Sequence, residues 1–213
     1  MASNENGEAA LREAIAAERS ELAELLAGLP EERWDEPTLC AGWRVRELVA
    51  HMTMPYRHSG PRVLLGLLRS RGDFNAFADR IARRDAVEVA VDELAASLAG
   101  NARHPWKPPG GGYVGALSHD VIHGLDFTVA FGIERKVPMD RLLPVLPRSL
   151  KDKGVRFFGV DLDGVELCAD DADWSLGSGE PLRGAAQDLL LVLCGRRLPK
   201  GHLRGAQAER FTA

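Results

Sequence analysis

Apolar positions recur along the first part of the chain at helical spacing. Leu11, Ile15, Leu22, Leu25 and Leu26 fall on one stripe with charged residues between them, which predicts an amphipathic helix ending near Gly28 and Pro30. After the loop EERWDEPTLCAGW, Val45, Leu48, Val49 and Met52 repeat at three and four and predict a second helix, limited by Pro55 and the Gly60-Pro61 pair, with His51 at the edge of its stripe. PRVLLGLLRS restarts a short helix with Pro61 in its first turn, and Gly72 breaks it. DAVEVAVDELAASLAG predicts a helix closed by Gly100, and the proline- and glycine-rich NARHPWKPPGGG predicts a loop. From Tyr113 to about Phe131, Val114, Leu117, Val121, Leu125 and Val129 mark the apolar side of a helix roughly five turns long. Four substantial helices and a short one predict an antiparallel helix bundle.

The pattern then changes to short β-branched and aromatic runs. VRFFGVDLDGVELCADDADWSLGSGE reads as two or three antiparallel strands with DLDG as a hairpin-turn candidate, and PLRGAAQDLLLVLCGR as a final helix. The tail LPKGHLRGAQAERFTA is polar and is expected to be loosely held. The expected organisation is a bundle over residues 1–150 and a small α/β extension over 151–213, packed on the bundle because it is small for an independent domain.

Composition narrows the function classes. A chain of 213 residues with 45% hydrophobic and 27% charged residues fits a soluble globular protein, and a net charge of −4 gives no reason to expect nucleic acid or an anionic membrane as partner. The N-terminus lacks a basic start followed by an apolar run, and no apolar stretch is long enough to span a bilayer, so the expected location is cytoplasmic. Cys40, Cys168 and Cys194 are an odd number without C-x-x-C spacing and read as reduced thiols, core being the better reading for Cys40.

The chemistry concentrates in SHDVIHGLD. His119 and His123, four apart, project from one helical face about a turn apart and can reach a single cation, with Asp126 a turn further on. Two such histidines also arise by chance as core or surface residues. His51 adds a third on the inner edge of another helix of the same bundle, where imidazole packs no better than leucine and needs partners. His58, His104 and His202 sit among loop or tail residues and read as surface histidines. The H-E-x-x-H protease signature needs glutamate where Asp120 stands and a third ligand downstream, so the partial match reads as coincidence. Asp120 and Asp126 can fix the tautomer of a ligand histidine or, if the open position activates water, act as base.

Three segments in order carry a family resemblance. RWDEPTLCAGWRVRELVAHM resembles the W-x-x-P-T-x-C-x-G-W-x-V-x-x-L-x-x-H segment of the mycothiol-dependent maleylpyruvate isomerase-like family, part of the DinB-like helix-bundle superfamily; LSHDVIHGLDFTVAFG resembles its second metal-binding segment, and LRGAAQDLLLVLCGR its C-terminal helix. The resemblance implies a mainly α fold, a DinB-like antiparallel four-helix bundle with a small C-terminal α/β extension. It implies a divalent metal, zinc first, on His51, His119 and His123, with His119 where the isomerase itself has glutamate. A neutral imidazole there leaves the site one unit more positive. The implied activity is that of a transferase or isomerase using mycothiol, the small thiol of actinobacteria, as co-substrate: a metal-bound thiolate attacks a small electrophile. Arg183 and Arg196, at either end of the last helix, are the candidates to fix anionic groups of substrate or thiol, although Arg196 also suits a helix C-terminus by charge alone. A metal-dependent hydrolase and a non-catalytic metal-binding protein remain alternatives, and the expected assembly is a monomer or homodimer.

Overall fold

The computed structural model describes residues 2–213. The chain divides into two compact units, one ending at His123 and the other running from Gly124 to Ala213. In the first unit, α1 (Ala2–Ala27) precedes a short 3-10 turn, followed by α2 (Val45–Arg57), α3 (Gly60–Arg69), α4 (Phe74–Glu88), α5 (Val91–Gly100) and the start of α6 (Gly112–Thr128). α2 packs on α4 and α5, and α1 on α5. Leu22, Val45, Leu48, Val49, Leu94, Leu98 and Leu117, all without exposure, make the core.

Two helices depart from the predicted pattern. α2 runs through Pro55 instead of stopping there. The proline lacks only its own N–H, and the last turn still closes with the His58 N–H donating to Met54 O at 3.1 Å. α4 is absent from the periodicity reading because its buried stripe is Ala78, Ala82 and Ala86 beside Phe77, and alanine scarcely registers as apolar. The helix expected over 85–100 is in fact the end of α4 and all of α5, separated at Val89 and Ala90, which are extended. Asp73 starts α4 by accepting the Ala76 N–H at 3.0 Å.

In the second unit, α7 (Met139–Leu142) and α8 (Lys153–Phe158) precede a three-stranded sheet of β1 (Val165–Ala169), β2 (Ser175–Gly177) and β3 (Glu180–Gly184), and α9 (Ala186–Leu193) packs on β1 and β3. VRFF belongs to α8, and PLRG to β3 rather than to the last helix. DLDG leads into β1 and is not a hairpin turn between strands. The sheet order is β2-β1-β3; β2 pairs with β1 antiparallel as expected, but β3 pairs parallel. Since β2 and β3 flank β1 on opposite sides and only two residues join them, the chain must cross the start of β1 at backbone contact. A Cβ on Gly179, at φ 134°, would lie 2.2 Å from Gly164 O, so only glycine fits the crossing. The tail is pinned, contrary to expectation: Leu198, Leu203 and Phe211 are buried, and the Leu198 N–H donates to Phe211 O at 2.8 Å.

A buried ion cluster ties the end of α2 to α4. Asp85, 2% exposed, is met by Arg57 at 2.9 Å, His58 at 2.5 Å and Arg84 at 2.8 Å. His58 is therefore not a surface histidine. Burial pushes the Asp85 carboxyl up, but hydrogen bonds from His58 and Arg84 and the charge of Arg57 outweigh it and leave the group below the ordinary aspartate range. A depressed folded pKa contributes stability that is complete above the unfolded value and is lost as pH falls through the folded one. Asp85→Asn is expected to lower stability near neutral pH and to flatten the acid limb, so that wild type and variant converge in urea melts recorded as pH drops below about 4.

Candidate metal centre

Loop, helix start and helix end all brace His51. The backbone N–H of Arg44 donates to Glu47 Oε2 at 2.9 Å, closing the first turn of α2. Thr38 Oγ1 donates to Trp43 O at 2.9 Å and accepts the Cys40 N–H at 3.2 Å, while Trp43 Nε1 reaches Asp79 Oδ1 of α4 at 2.8 Å. This fixes the Trp43 ring against His51, centroids 4.9 Å apart. His51 is 7% exposed, and its Nδ1 is buried with no hydrogen-bond partner. Burial, and then the neighbouring His119 and His123, hold its imidazole well below the usual histidine range, so it is neutral.

The structure brings the three predicted histidines together. The ring centroids of His51 lie 5.0 Å from His119 and 5.1 Å from His123, and His119 and His123 are 4.8 Å apart and edge to face. One nitrogen from each can be chosen so that all lie within 4.8 Å of one another. Nitrogens on one tetrahedral zinc are about 3.4 Å apart, a separation that falls inside this bound. The orphaned, desolvated His51 Nδ1 and the gathering of three imidazoles fit a borderline divalent cation.

A carboxylate faces the His119 ring. The ring Nδ1 faces Asp120 Oδ1 at 3.0 Å, and Asp120 Oδ2 accepts from Arg19 Nε at 2.7 Å, with both side chains of that ion pair wholly unexposed. With Asp120 accepting from Arg19, a His119 ring that donates its Nδ1–H to the other carboxylate oxygen presents Nε2 as the lone-pair donor. Arg19 also donates to His104 O at 2.9 Å and lies over the Tyr56 ring at 5.3 Å. The His104 ring stacks at 5.0 Å from that of Tyr56, so His104 lines this cluster rather than the surface. Nothing in the spacing of Arg19 and Asp120, 101 residues apart, links them; the only sequence signal is two charges on otherwise apolar helix faces.

Asp126, unexposed, receives both Arg196 Nε and Nη2 at 2.8 Å, and Arg196 Nη1 donates to Cys194 O at 2.7 Å. Arg183 is exposed on β3, where its backbone bridges Arg204. His202 is partly covered and pairs with Asp188 at 3.1 Å. Cys40 is not core: it is half-buried, with Sγ within 4.8 Å of a His123 nitrogen.

With this geometry, likeness to known proteins can be read. Residues 15–122 match the family described as the mycothiol maleylpyruvate isomerase N-terminal domain, just over half of the chain and nearly all of the first unit. The chain belongs to that family. The solved crystal structure of the mycothiol-dependent maleylpyruvate isomerase is similar over 95% of this chain and 93% of that one, with a TM-score of 0.57 and 15% identity. A histidine-to-alanine mutant of that enzyme matches over the same shares, at a TM-score of 0.57 and 12% identity. No curated protein sequence matches. At such identities the structural likeness establishes the fold, a DinB-like bundle with a small three-stranded appendage.

The Arg19–Asp120 pair yields a test. Arg19→Met leaves a buried carboxylate uncompensated and is expected to cost about 3–5 kcal/mol in chemical denaturation, whereas Arg19→Met with Asp120→Leu should recover most of that loss.

Proposed function

We propose that this chain is a divalent-metal enzyme that uses a small thiol, mycothiol in the first instance, against a small electrophile, as a transferase or isomerase of the maleylpyruvate isomerase type. The observation that carries the reading is the convergence of His51, His119 and His123 around the buried, unpartnered His51 Nδ1, within a chain of this family. His51 and His123 would hold the ion from α2 and α6, and His119 would present Nε2 because Asp120 holds its Nδ1. When bound, the cation supplies Lewis acidity that favours the thiolate over the thiol at neutral pH. Three histidine ligands would bring no negative charge to the ion, so its full charge would remain available to an anionic thiol. Trp43 and Trp106, whose rings lie 4.9 Å from His51 and 5.2 Å from His119, flank the rings and limit water there.

The placement of the carboxylates favours thiol chemistry over hydrolysis. A hydrolase needs a free base, yet Asp120 is bound to Arg19 and Asp126 to Arg196, both without exposure. On this reading the two aspartates and Arg196 are structural anchors, and zinc is the first metal to test. Among the described residues no helix is long and apolar enough to cross a membrane; a cytoplasmic location is part of the proposal.

The test begins with metal. Wild type is expected to carry about one zinc or related ion per chain, with His51→Ala and His123→Ala losing it by elemental analysis. Maleylpyruvate and other activated electrophiles should then turn over only when mycothiol is present. Turnover by the metal-loaded protein without thiol would instead support the hydrolase, and metal binding without any turnover a non-catalytic role.

A further inference from the structure

α3 is apolar, yet none of its residues is buried. Leu64, Leu65 and Leu68 are 59%, 48% and 66% exposed, and Phe74, at the start of α4, is 47% exposed. At 100° per residue, Pro61, Leu64, Leu65 and Leu68 share one outward face, with Arg62 and Arg69 along one flank. α3 sits on α4 through Gly66, where a Cβ would lie 2.3 Å from the Phe77 ring, so the leucine face points away from that contact. A contiguous exposed apolar ridge of this kind marks a docking surface.

Charge selects the occupant. From Leu48 to Gly72 the chain has no aspartate or glutamate but carries Arg57, Arg62, Arg69 and Arg71, a basic stretch hidden within an overall charge of −4. Arg57 is bound to Asp85; Arg62, Arg69 and Arg71 are exposed and enter no ion pair among the described residues. A second copy docking α3 antiparallel on α3 would set Arg62 of one chain against Arg69 of the other with no acid to offset them. The exposed leucines also stand on the outer face of a single helix, which a fluid interface accommodates more readily than a protein partner without a matching groove. We propose that α3 docks this protein peripherally on an anionic lipid surface, its leucines entering the acyl boundary and Arg62, Arg69 and Arg71 meeting the headgroups. This amends the expectation drawn from net charge alone, which averages away a local patch.

The experiment is sedimentation of the full-length protein with vesicles of phosphatidylcholine alone or with one-third phosphatidylglycerol. Binding is expected only to the anionic vesicles, weakening steeply with salt. Arg62→Gln with Arg69→Gln should lower the partition coefficient about 30-fold, roughly five-fold for each arginine. Leu64→Ser with Leu68→Ser should abolish binding while leaving circular dichroism unchanged, since neither leucine is packed. Absence of binding to anionic vesicles, equal binding to neutral ones, indifference to either variant, or a concentration-dependent dimer that the leucine variant dissolves would each overturn the proposal.

Discussion

A charge pair sealed inside the bundle constrains much of the first unit. Removing a guanidinium and a carboxylate from water costs several kcal/mol for each ion, and only close pairing with further hydrogen bonds offsets it. Asp120 on α6 therefore requires Arg19 at one level of α1, and Arg19 in turn requires carbonyls from the turn after α5, of which His104 O is the nearest at 2.9 Å. One interaction thus couples α1, the turn after α5 and α6. The remaining oxygen of Asp120 meets His119, so the same pair that sets helix register also sets the orientation of an imidazole.

α2 is braced by other means to the same end. Its first turn is closed by Glu47, its flank is covered by a Trp43 ring held by Asp79, and its last turn is fixed to α4 through Asp85. Pro55 removes the one N–H that would have bonded to His51 O, so the backbone ladder is weakest at His51, and the side-chain ties on either side carry the rigidity that it lacks. Positions within about 0.5 Å are what a metal or reacting group demands, and rotamers locked by packing supply them.

Legibility followed the physics of each segment. The three histidines could be read because helical spacing fixes His119 against His123, and because His51 on an apolar face asks for a partner. α4 could not be read by hydrophobic periodicity, since Ala78, Ala82 and Ala86 bury a face without an apolar signal. The parallel β1–β3 pairing was hidden because strand direction depends on where a two-residue link crosses, which Gly177 and Gly179 permit but do not announce. The tail reads as free because Leu198, Leu203 and Phe211 are too sparse to form a period, yet three buried side chains suffice to pin it. Arg19 was invisible for a different reason: a buried ion pair is non-local, and neither sequence neighbourhood indicates its partner.

The His51 nitrogen gives the proposed metal reading its energetic sense. A buried polar atom left without a partner costs about 1–3 kcal/mol, and native folds seldom keep one without use. The neighbours cannot relieve it by protonation, because burial and two adjacent imidazoles all disfavour charge on that ring. They also supply no carboxylate to His51, since Asp120 is committed to Arg19 and His119. On the proposed reading the partner of His51 is a cation, which brings positive charge and accepts several imidazole nitrogens at once. On the proposed reading, part of the cost of folding this core is returned when a cation binds, so the protein's stability and its loading rise together.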